Sequence, residues 1–437
     1  MTALSKHGPR IAVTLVPLIL AVLNAVGLMP TDVFQRLDDW AYDARLRATM
    51  PSTRDERVVI VDIDEKSLAV VGRWPWGRDR VAALVDQLFD QQKISVLGVD
   101  TVFAEPDDSG GLAQLRRLAQ AELAHQPGFA ERVEALAPRL DHDAHLAQAL
   151  KGRAVVLGYY FTSDRSGRTS GVLPRPVLTG ASMVDGRRIP ATQWDGYGAN
   201  LPGLAEAAPR AGFFNALTDG DGVVRSLPLL AEYGGDYYES LALGVFRVLL
   251  GEPDVVPGFP RQRFLPGDYQ ALESVRLVRG TGSLSIGVDA RAAVLIPFRG
   301  RGGPEGGSFR YVSASDVLSG RLPPGSLANK IVLLGTTAPG LLDLRATPVG
   351  EAYPGVETHA NLIAGMLDGD LLTRPDYALG YELVMLVASG LLLAFGLPLL
   401  SAARAVALTL GVVAAVVGLN TWLLLPMVSF CRWPAPW

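Results

Sequence analysis

The chain has 437 residues but only one cysteine, Cys431, so no disulfide bond can form within it. Charged residues are also scarce, at 19% of the sequence, and they sum to a net charge of −4. That balance provides no basic field for nucleic acid, which we therefore exclude as a partner. Hydrophobic residues reach 49%, a share that is high for a soluble protein and low for a membrane transporter. Any large domain in this chain must be stabilised by its apolar core.

The sequence also lacks the motifs of common enzymes. The glycine-rich tract 299–307 fits neither the dinucleotide-binding fingerprint nor the P-loop, and the strand and helix that those motifs require do not flank it. There is no G-x-S-x-G, no H-E-x-x-H and no protein-kinase motif set. We therefore expect no catalytic residue, no metal and no cofactor, and hence a protein that is not an enzyme.

Three long apolar runs stand out, at residues 11–29, 378–400 and 405–426. Each is close to the roughly 20 residues that an α-helix needs to cross a bilayer. Buried core helices are the alternative, but such helices rarely stay apolar over several turns. For the first run a cleaved signal peptide also competes, because Lys6 and Arg10 precede it. The absence of a clear cleavage site favours an uncleaved anchor, so the sequence predicts three transmembrane helices.

Basic residues in the short flanks set the predicted orientation, because Lys and Arg accumulate on the cytoplasmic side of membranes. They place residues 1–10 in the cytoplasm, so that residues 30–376 lie outside. Arg404, in the short turn after the second run, lies on the cytoplasmic side again. The third run then leads the tail, residues 427–437, outwards.

The exterior region shows alternating strand and helix patterns. Residues 31–47 have helical spacing and predict a juxtamembrane helix that continues from the first membrane helix. Residues 57–63 and 95–103 are apolar runs that flank an amphipathic helical pattern at 81–89, which indicates a β-α-β unit with parallel strands. A buried strand at 330–335 and a closing helix follow. The predicted fold class is α/β, a mixed, mostly parallel sheet with helices on both faces, plus three transmembrane α-helices.

Polar residues follow the predicted strands at their carboxyl ends, where open α/β sheets bind ligands. The sequence is compatible with a small polar ligand held at this edge. The alternative is a structural network in which the carboxylates cap turns and helix ends. Together with two residues that lie near the same edge in the chain, the ligand-binding candidates are Asp62, Asp64, Arg78, Asp100, Glu105, Thr336 and Thr337.

Two further groups have a structural interpretation as well as a functional one. Trp74 and Trp76 could form an aromatic wall of a ligand site, but such a motif more commonly anchors a strand-to-helix turn. Asp219 and Asp221 resemble part of a calcium loop, yet the other acidic ligands are missing at the required spacing. A tight hairpin turn at 218–222 is the better interpretation.

Seven segments occur in an order that is specific as a set, although each is weak alone: DWAYDAR at 39–45, VVIVDIDEKSLAVVGRWPWGR at 58–78, GVDTVFAEPD at 98–107, GFFNALTDGDGVVRSLPL at 212–229, SASDVLSGRLP at 313–323, KIVLLGTTAPGLLDLRATPV at 330–349 and PGVETHANLI at 354–363. With these segments the chain resembles the CHASE type 2 family of cyclase/histidine-kinase-associated sensory extracellular domains. The resemblance extends from residue 37 to about residue 375 and includes the membrane region that follows.

The resemblance implies a sensory input module of a bacterial transmembrane receptor, in the inner membrane and with its large domain periplasmic. Family members pass a signal through their membrane helices to a cytoplasmic output enzyme. For this chain the resemblance implies an adenylate cyclase first, with a kinase or a diguanylate cyclase as the alternatives. About three membrane helices typically follow the sensor domain, whereas two are predicted here. We therefore expect the tail 427–437 to end before a further helix and an output domain. The expected partners are a second copy in a homodimer, membrane lipids and an unknown small-molecule or envelope signal.

Two other functions remain open at the level of sequence. A stand-alone membrane-anchored periplasmic binding or scaffold protein is the main alternative. An extracytoplasmic hydrolase that uses Asp62, Asp64 and Asp100 would need a metal or a nucleophile, and the sequence shows neither.

Overall fold

The computed structural model of the protein describes residues 3–26, 28–29, 32–163, 166–180, 188–259, 272–338, 340, 343–371 and 378–430. The chain forms two compact units. The larger unit is Leu46–Leu372, and the other combines Met1–Arg45 with Thr373–Trp437.

The described helices are α1 Ala3–Ala25, α2 Asp32–Thr49, α3 Glu65–Val71, α4 Arg78–Asp86, α5 Leu112–Gln120, α6 Phe129–Leu140, α7 His142–Leu150, α8 Pro202–Ala207, α9 Leu241–Leu249, α10 Ala314–Leu318, α11 Gly355–Asp368, α12 Ala378–Gly396 and α13 Ala402–Phe430. The described strands are β1 Asp55–Ile63, β2 Val96–Val99, β3 Val155–Thr162, β4 Thr169–Ser170, β5 Thr192–Trp194, β6 Gly196–Gly198, β7 Ala211–Phe213, β8 Ser226–Pro228, β9 Leu230–Tyr233, β10 Asp236–Glu239, β11 Asp254–Gly258, β12 Ser274–Arg279, β13 Gly282–Gly287, β14 Ala293–Leu295, β15 Phe309–Ser313, β16 Ile331–Thr336, β17 Leu344–Thr347 and β18 Gly350–Pro354.

The main sheet of the larger unit has the strand order β15-β1-β16-β2-β3-β6-β4, and β7 also pairs with β3. Strands β15, β1, β16, β2, β3 and β7 run parallel to their neighbours, and β6 runs antiparallel to β3. The prediction of a mixed, mostly parallel sheet is therefore confirmed. The β-α-β pattern suggested that β1 and β2 are neighbours, but β16 lies between them. All six residues of β16 are buried, which suits a strand at the centre of a parallel sheet.

Helices cover both faces of this sheet. On one face, Val59 and Val61 of β1 pack in an apolar cluster with Leu84 of α4 and Leu146 of α7. The opposite face is covered by α9 and α11. A Cβ atom added at Gly335 of β16 would lie 2.5 Å from Val356 Cβ, the second residue of α11. The backbone of β16 and the first turn of α11 therefore approach as closely as only glycine permits.

The start of α11 lies between two aspartates at the carboxyl edge of the sheet. Asp62 of β1 is level with Gly335 of β16. Asp100 comes directly after β2, where Val99 is level with Leu334, and its N–H donates to the Leu334 carbonyl at 2.8 Å. Because residues at the same level of parallel strands point to the same face, both aspartates are on the side covered by α11. They are two strand spacings apart, about 10 Å.

The hairpin predicted around residues 218–222 is only partly formed. Leu217 and Ser226 make a single antiparallel bridge, and the Asp219 N–H donates to the Val223 carbonyl at 2.9 Å. Beyond that bridge the strands separate, because β7 pairs with β3 of the main sheet and β8 pairs with β14. Pairing of β7 and β8 with strands distant in the chain therefore replaces the continuous hairpin that the turn residues predict.

Two described helices, rather than the three that were predicted, are long and apolar enough to cross a membrane. These stretches are Gly380–Leu399 and Ala402–Leu419, a criterion of length and composition alone. In α1 the apolar stretch is Ile11–Ala25, which at 1.5 Å per residue is shorter than a hydrocarbon core of about 30 Å. Within the same unit α1 packs on α12, where Leu18 lies against Gly390.

Candidate functional site

Among the predicted site residues, Asp62 and Thr337 are joined by two direct hydrogen bonds. Asp62 is the last residue but one of β1, with only 2% of its surface exposed, and Thr337 is the first residue after β16. The Thr337 N–H donates to Asp62 Oδ1 at 3.0 Å, and the Thr337 hydroxyl donates to Asp62 Oδ2 at 2.5 Å. Thr336, the last residue of β16, is buried beside them and pairs in register with Ile63. Asp62 therefore anchors the segment that leaves the central strand of the sheet.

Asp64 continues this edge by capping a helix. Its carboxylate accepts the Ser67 N–H at 2.7 Å as the N-cap of α3, and it also accepts the Ser313 hydroxyl at 2.8 Å. The Ser67 hydroxyl accepts the Ser315 N–H at 3.1 Å, at the start of α10. The capping role that the sequence offered as an alternative for this residue is therefore present, and it ties α3 to α10.

An open cleft of about 790 Å³ lies above these residues. Lys66 reaches into its wall, but its ammonium group binds both oxygens of Asp316 at 2.6 and 2.7 Å, so that its charge is offset. The other side of the cleft is a glycine-rich turn in which Gly302 and Gly303 have positive φ values. The lining consists of Asp62, Asp64, Glu65, Lys66, Gly302, Gly303, Pro304, Glu305, Tyr311, Ser313, Thr337 and Ala338.

A buried polar chain connects the cleft to α11. Glu357, in the first turn of α11, is fully buried, and its Oε2 accepts the Tyr311 hydroxyl and the Gly303 N–H, both at 2.6 Å. Its Oε1 accepts the Tyr353 hydroxyl at 3.1 Å, which in turn accepts a hydrogen bond from Asn361 Nδ2 at 2.7 Å. Three donors thus compensate the burial of this carboxylate, as buried polar groups require.

Burial dominates the electrostatics of the edge. It raises the pKa of Asp62 to about 6, with a smaller rise from Asp64, although the hydrogen bonds from Thr337 oppose both effects. Burial likewise raises the pKa of Glu357, against the lowering effect of its hydrogen bonds with Tyr311, Gly303 and Tyr353. Two carboxyl groups whose ionised form is disfavoured therefore lie near Tyr311, which donates to Glu357 and interacts electrostatically with both.

Asp100 belongs to a neighbouring group rather than to the cleft. Burial raises the pKa of Asp100 well above its usual range, and the nearby Asp343 raises it further, while Arg345 opposes the rise. Asp343 accepts a hydrogen bond from the Val356 N–H, at the start of α11, and forms an ion pair with Arg345 at 3.3 Å. Burial, with a contribution from Arg345, also lowers the pKa of His359 to about 4, so this fully buried imidazole is neutral.

Arg78 and Glu105 lie together, but in a different place. The buried Arg78 guanidinium stacks on the Phe103 ring at 4.5 Å from the centroid and lies 3.7 Å from Asp143. It donates to the Glu105 backbone carbonyl at 3.3 Å, while the Glu105 side chain is exposed. Burial lowers the pKa of Arg78, and Asp143 leads the charges that oppose this. Neither residue lines the cleft, and both stabilise the turn that follows β2.

The tryptophan and aspartate pairs have structural contacts. Trp76 is buried, and its indole N–H donates to the Gly72 carbonyl at 2.9 Å, while its ring meets Trp74 edge to face with centroids 5.5 Å apart. Asp219 and Asp221 bind a single buried arginine, Arg225, at 2.9 and 2.7 Å.

The fold thus brings Asp62, Asp64 and Thr337 together around one cleft and places Thr336 behind them. The sequence reasoning missed Glu357, Tyr311 and Asp343, which complete the carboxyl edge. A signal for the first was present: Glu357 and Asn361 lie four residues apart on α11, a polar stripe on a helix that is buried on all sides, and Tyr353 lies four residues before Glu357 in β18. In the described part of the chain, no group of three or more His, Cys, Asp or Glu side chains is placed to hold a metal ion.

Comparison with known proteins gives one match. The family model described as the CHASE2 domain matches residues 14–397, from within α1 to the end of α12. Neither the curated proteins nor the solved structures gave a match. The matched range contains the whole main sheet, the cleft and the polar chain to α11. Because it covers most of the 437 residues, the chain belongs to the CHASE2 domain family.

Proposed function

We propose that this chain is the extracytoplasmic sensory input module of a bacterial transmembrane signalling receptor. The family match over residues 14–397 is the observation that carries the proposal, because CHASE2 domains are sensory rather than catalytic. The absence of enzyme motifs in the sequence is consistent with it. In this function the larger unit lies outside the cytoplasm, and the signal is passed to a cytoplasmic output enzyme such as an adenylate cyclase, a kinase or a diguanylate cyclase.

The stretches Gly380–Leu399 and Ala402–Leu419 are the proposed anchor, a helical hairpin in the inner membrane. Arg404 near the turn between them supports a turn that faces the cytoplasm, since basic residues accumulate on that side. Contacts with lipid suit their surfaces, because Val384, Leu410 and Val413 are each more than half exposed. A homodimer, as the output enzymes of the family require, is part of the same proposal.

The proposed input site is the cleft at the carboxyl edge of the sheet. Three features support it: its volume of about 790 Å³, its position where α/β sheets commonly bind ligands, and the hydroxyl and carboxylate side chains in its lining. The lining offers hydroxyl and carboxylate groups, which suit a small polar ligand. The polar chain through Tyr311 and Glu357 connects this site to α11, and only residues 369–377 separate α11 from α12.

Cysteine accessibility tests the proposed orientation. In a Cys431→Ser background, a cysteine is placed at the exposed Glu122 of the larger unit or at Ser401 between α12 and α13. A membrane-impermeant maleimide should label Glu122→Cys in intact spheroplasts and Ser401→Cys only after lysis. Labelling of Ser401→Cys without lysis, or protection of Glu122→Cys, would contradict the orientation.

A ligand screen tests the input site. Thermal shifts of the full chain in lipid nanodiscs are measured against a panel of amino acids, sugars and small carboxylic acids. Glu305→Trp introduces a large ring into the cleft lining, and Glu122→Trp is the matched control on an exposed surface outside it. A compound that stabilises the wild type and the control but not Glu305→Trp supports the cleft. Stabilisation that survives in Glu305→Trp would place the ligand elsewhere.

A further inference from the structure

The glycine-rich tract 299–307 matches no nucleotide-binding motif, and only part of it reaches the cleft. Gly302 and Gly303 line the cleft, and the Gly303 N–H donates to the buried Glu357 carboxylate at 2.6 Å. A Cβ atom added at Gly302 would collide with the Tyr353 ring. This wall of the cleft therefore cannot shift without disturbing the groups behind it.

Arg299, at the other end of the tract, binds α11 twice. Its N–H donates to Asn361 Oδ1 at 3.0 Å, and its Nη1 atom donates to Asp368 Oδ2 at 2.9 Å. Glu357, Asn361 and Asp368 are spaced four and seven residues apart, so they share one face of α11. At 1.5 Å per residue, the first and last of them are about 17 Å apart along the helix. The tract therefore accompanies α11 from the cleft to its last residue.

Buried side chains also connect the two ends of the tract. Asn361 Nδ2 donates to the Tyr353 hydroxyl at 2.7 Å, and that hydroxyl donates to Glu357 at 3.1 Å. All three residues are fully buried. Because water cannot replace a lost partner at such a place, each group must follow when its neighbour moves. A displacement at Gly303 is thereby carried to Arg299.

Arg299 also contacts both ends of the larger unit. Its Nη2 atom donates to Thr53 Oγ1 at 3.3 Å, and its carbonyl accepts the Ser52 N–H at 2.8 Å. Ser52 and Thr53 come shortly after α2 in the chain, whereas Asp368 is the last residue of α11. One arginine thus joins the segment by which the chain enters the unit to the segment by which it leaves.

We propose that residues 299–303 form a relay that couples the cleft to both ends of the larger unit. A ligand that displaces the wall at Gly303 changes the position of Arg299, which moves the entry and exit segments together. In the proposed function these segments lead to the membrane helices, so the inference builds on that function and concerns how the input site is read out. The coupling itself can be measured without a ligand.

Hydrogen–deuterium exchange of the full chain in lipid nanodiscs tests the relay, with a perturbation at the cleft end. Gly303 has a φ of 77°, and a Cβ atom there would meet no atom within 4 Å, so Gly303→Ala strains the tract without a clash. Exchange of the Ser52 amide, and of the Asp370 amide that binds the Gly365 carbonyl, should each rise about fivefold. Gly152→Ala, with a φ of 74° and equally open surroundings, is the matched control and should leave both amides unchanged.

A second variant cuts the relay at its far end. Arg299→Met removes the guanidinium group but keeps the backbone hydrogen bonds of the residue. In this background Gly303→Ala should no longer affect the Asp370 amide. Its effect on the Ser52 amide should remain, because that amide binds the backbone carbonyl of residue 299.

Arg57→Met is the matched control for this cut, because Arg57 of β1 binds the other oxygen of Asp368 at 2.6 Å and lies outside the tract. With Arg57→Met, Gly303→Ala should still raise the exchange of Asp370. An effect on Asp370 that survives in Arg299→Met would mean that α11 alone carries the change, and it would overturn the relay. Wild-type exchange of both amides in Gly303→Ala would overturn it as well.

The reverse measurement decides if Gly303→Ala does not fold, as judged by circular dichroism. Because coupling is reciprocal, Arg299→Met should raise the exchange of the Gly303 amide, which donates to Glu357, and Arg57→Met should not. An unchanged Gly303 amide in Arg299→Met would refute the proposal. A confirmed relay with failed ligand and orientation tests removes only the sensory function, whereas a ligand bound in the cleft without this coupling removes only the relay.

Discussion

Replacing Asp62 by Asn should stabilise the larger unit at neutral pH, although Asp62 makes two hydrogen bonds. The amide has the same shape, its oxygen can accept the Thr337 N–H, and its nitrogen can donate to the Thr337 hydroxyl. What it removes is the cost of holding a buried negative charge. Raising the pKa of Asp62 from its usual 3.8 to about 6 corresponds to about 3 kcal/mol, since one pKa unit is ~1.4 kcal/mol.

The direction of the pH dependence follows from linkage. The folded chain binds a proton at Asp62 more tightly than the unfolded chain does, so between about pH 4 and pH 6 folding takes up protons. The contribution of Asp62 to stability is therefore fully present below about pH 4 and is lost as the pH rises through about 6. Asn has no proton to lose, so the gain from Asp62→Asn should reach about 2–3 kcal/mol at pH 7 and approach zero near pH 4.

Unfolding of the full chain in detergent, followed by tryptophan fluorescence at several pH values, measures this difference. Asp254→Asn, at an exposed position of β11, controls for the loss of one negative charge and should have little effect at any pH. The reasoning would be refuted if Asp62→Asn were destabilised at pH 7, or if its difference from the wild type did not change between pH 4 and pH 7. Either result would mean that the hydrogen bonds outweigh the burial of the charge.

Two further substitutions test the packing around the candidate site, both through the melting temperature of the full chain. Trp76→Ala should lower the free energy of unfolding by about 3–5 kcal/mol because the residue is only 4% exposed. Trp74→Ala should lower it less because Trp74 is partly exposed, and equal losses of stability in the two variants would contradict this. Gly335→Ala should lower the free energy of unfolding by about 1–3 kcal/mol, since its Cβ would lie 2.5 Å from Val356 Cβ. As a control, a Cβ atom at Gly203 in α8 meets no atom within 4 Å, so Gly203→Ala should be neutral or stabilising. A tolerated Gly335→Ala would show that α11 can move away from the sheet.

The order of strands shows where sequence patterns stop being informative. Runs such as Val58–Ile63 and Ile331–Thr336 were recognisable as buried parallel strands because apolar residues continue without alternation. Which strands lie beside them in the sheet was not recognisable, because the residue pattern of one segment holds no information about its partner strand. The position of β16 between β1 and β2 depends on contacts between segments distant in the chain, among them the close approach of Gly335 to α11.

The candidate site shows the same limit at the level of side chains. Asp62 lies near the end of β1, and Asp64 and Thr337 directly follow β1 and β16, so the backbone topology alone brings them together. Arg78 begins α4 and Glu105 lies on the turn after β2, and the direction of neither side chain is set by the strand that precedes it. The sequence reasoning missed Glu357 for a different reason. Its helix is buried on every side, so its polar stripe has no exposed face to mark it as functional.

Under the proposed function, the position of β16 in the sheet bears on how a change in the cleft reaches the end of the domain. One wall of the cleft comes from β1, near the start of the larger unit, and the other comes from the segment after β16, near its end. Glu357, in the first turn of α11, accepts bonds of 2.6 Å from Tyr311 of β15 and from Gly303 of the glycine-rich turn, both of which also line the cleft. The next described helix along the chain after α11 is α12. If β1 and β2 were neighbours, with β16 at the edge of the sheet, the cleft would be formed by residues remote in sequence from α12. With β16 beside β1, part of the cleft lining, Thr337 and Ala338, belongs to the segment that follows the last strand of the main sheet, so a change in the cleft acts on the last elements of the domain.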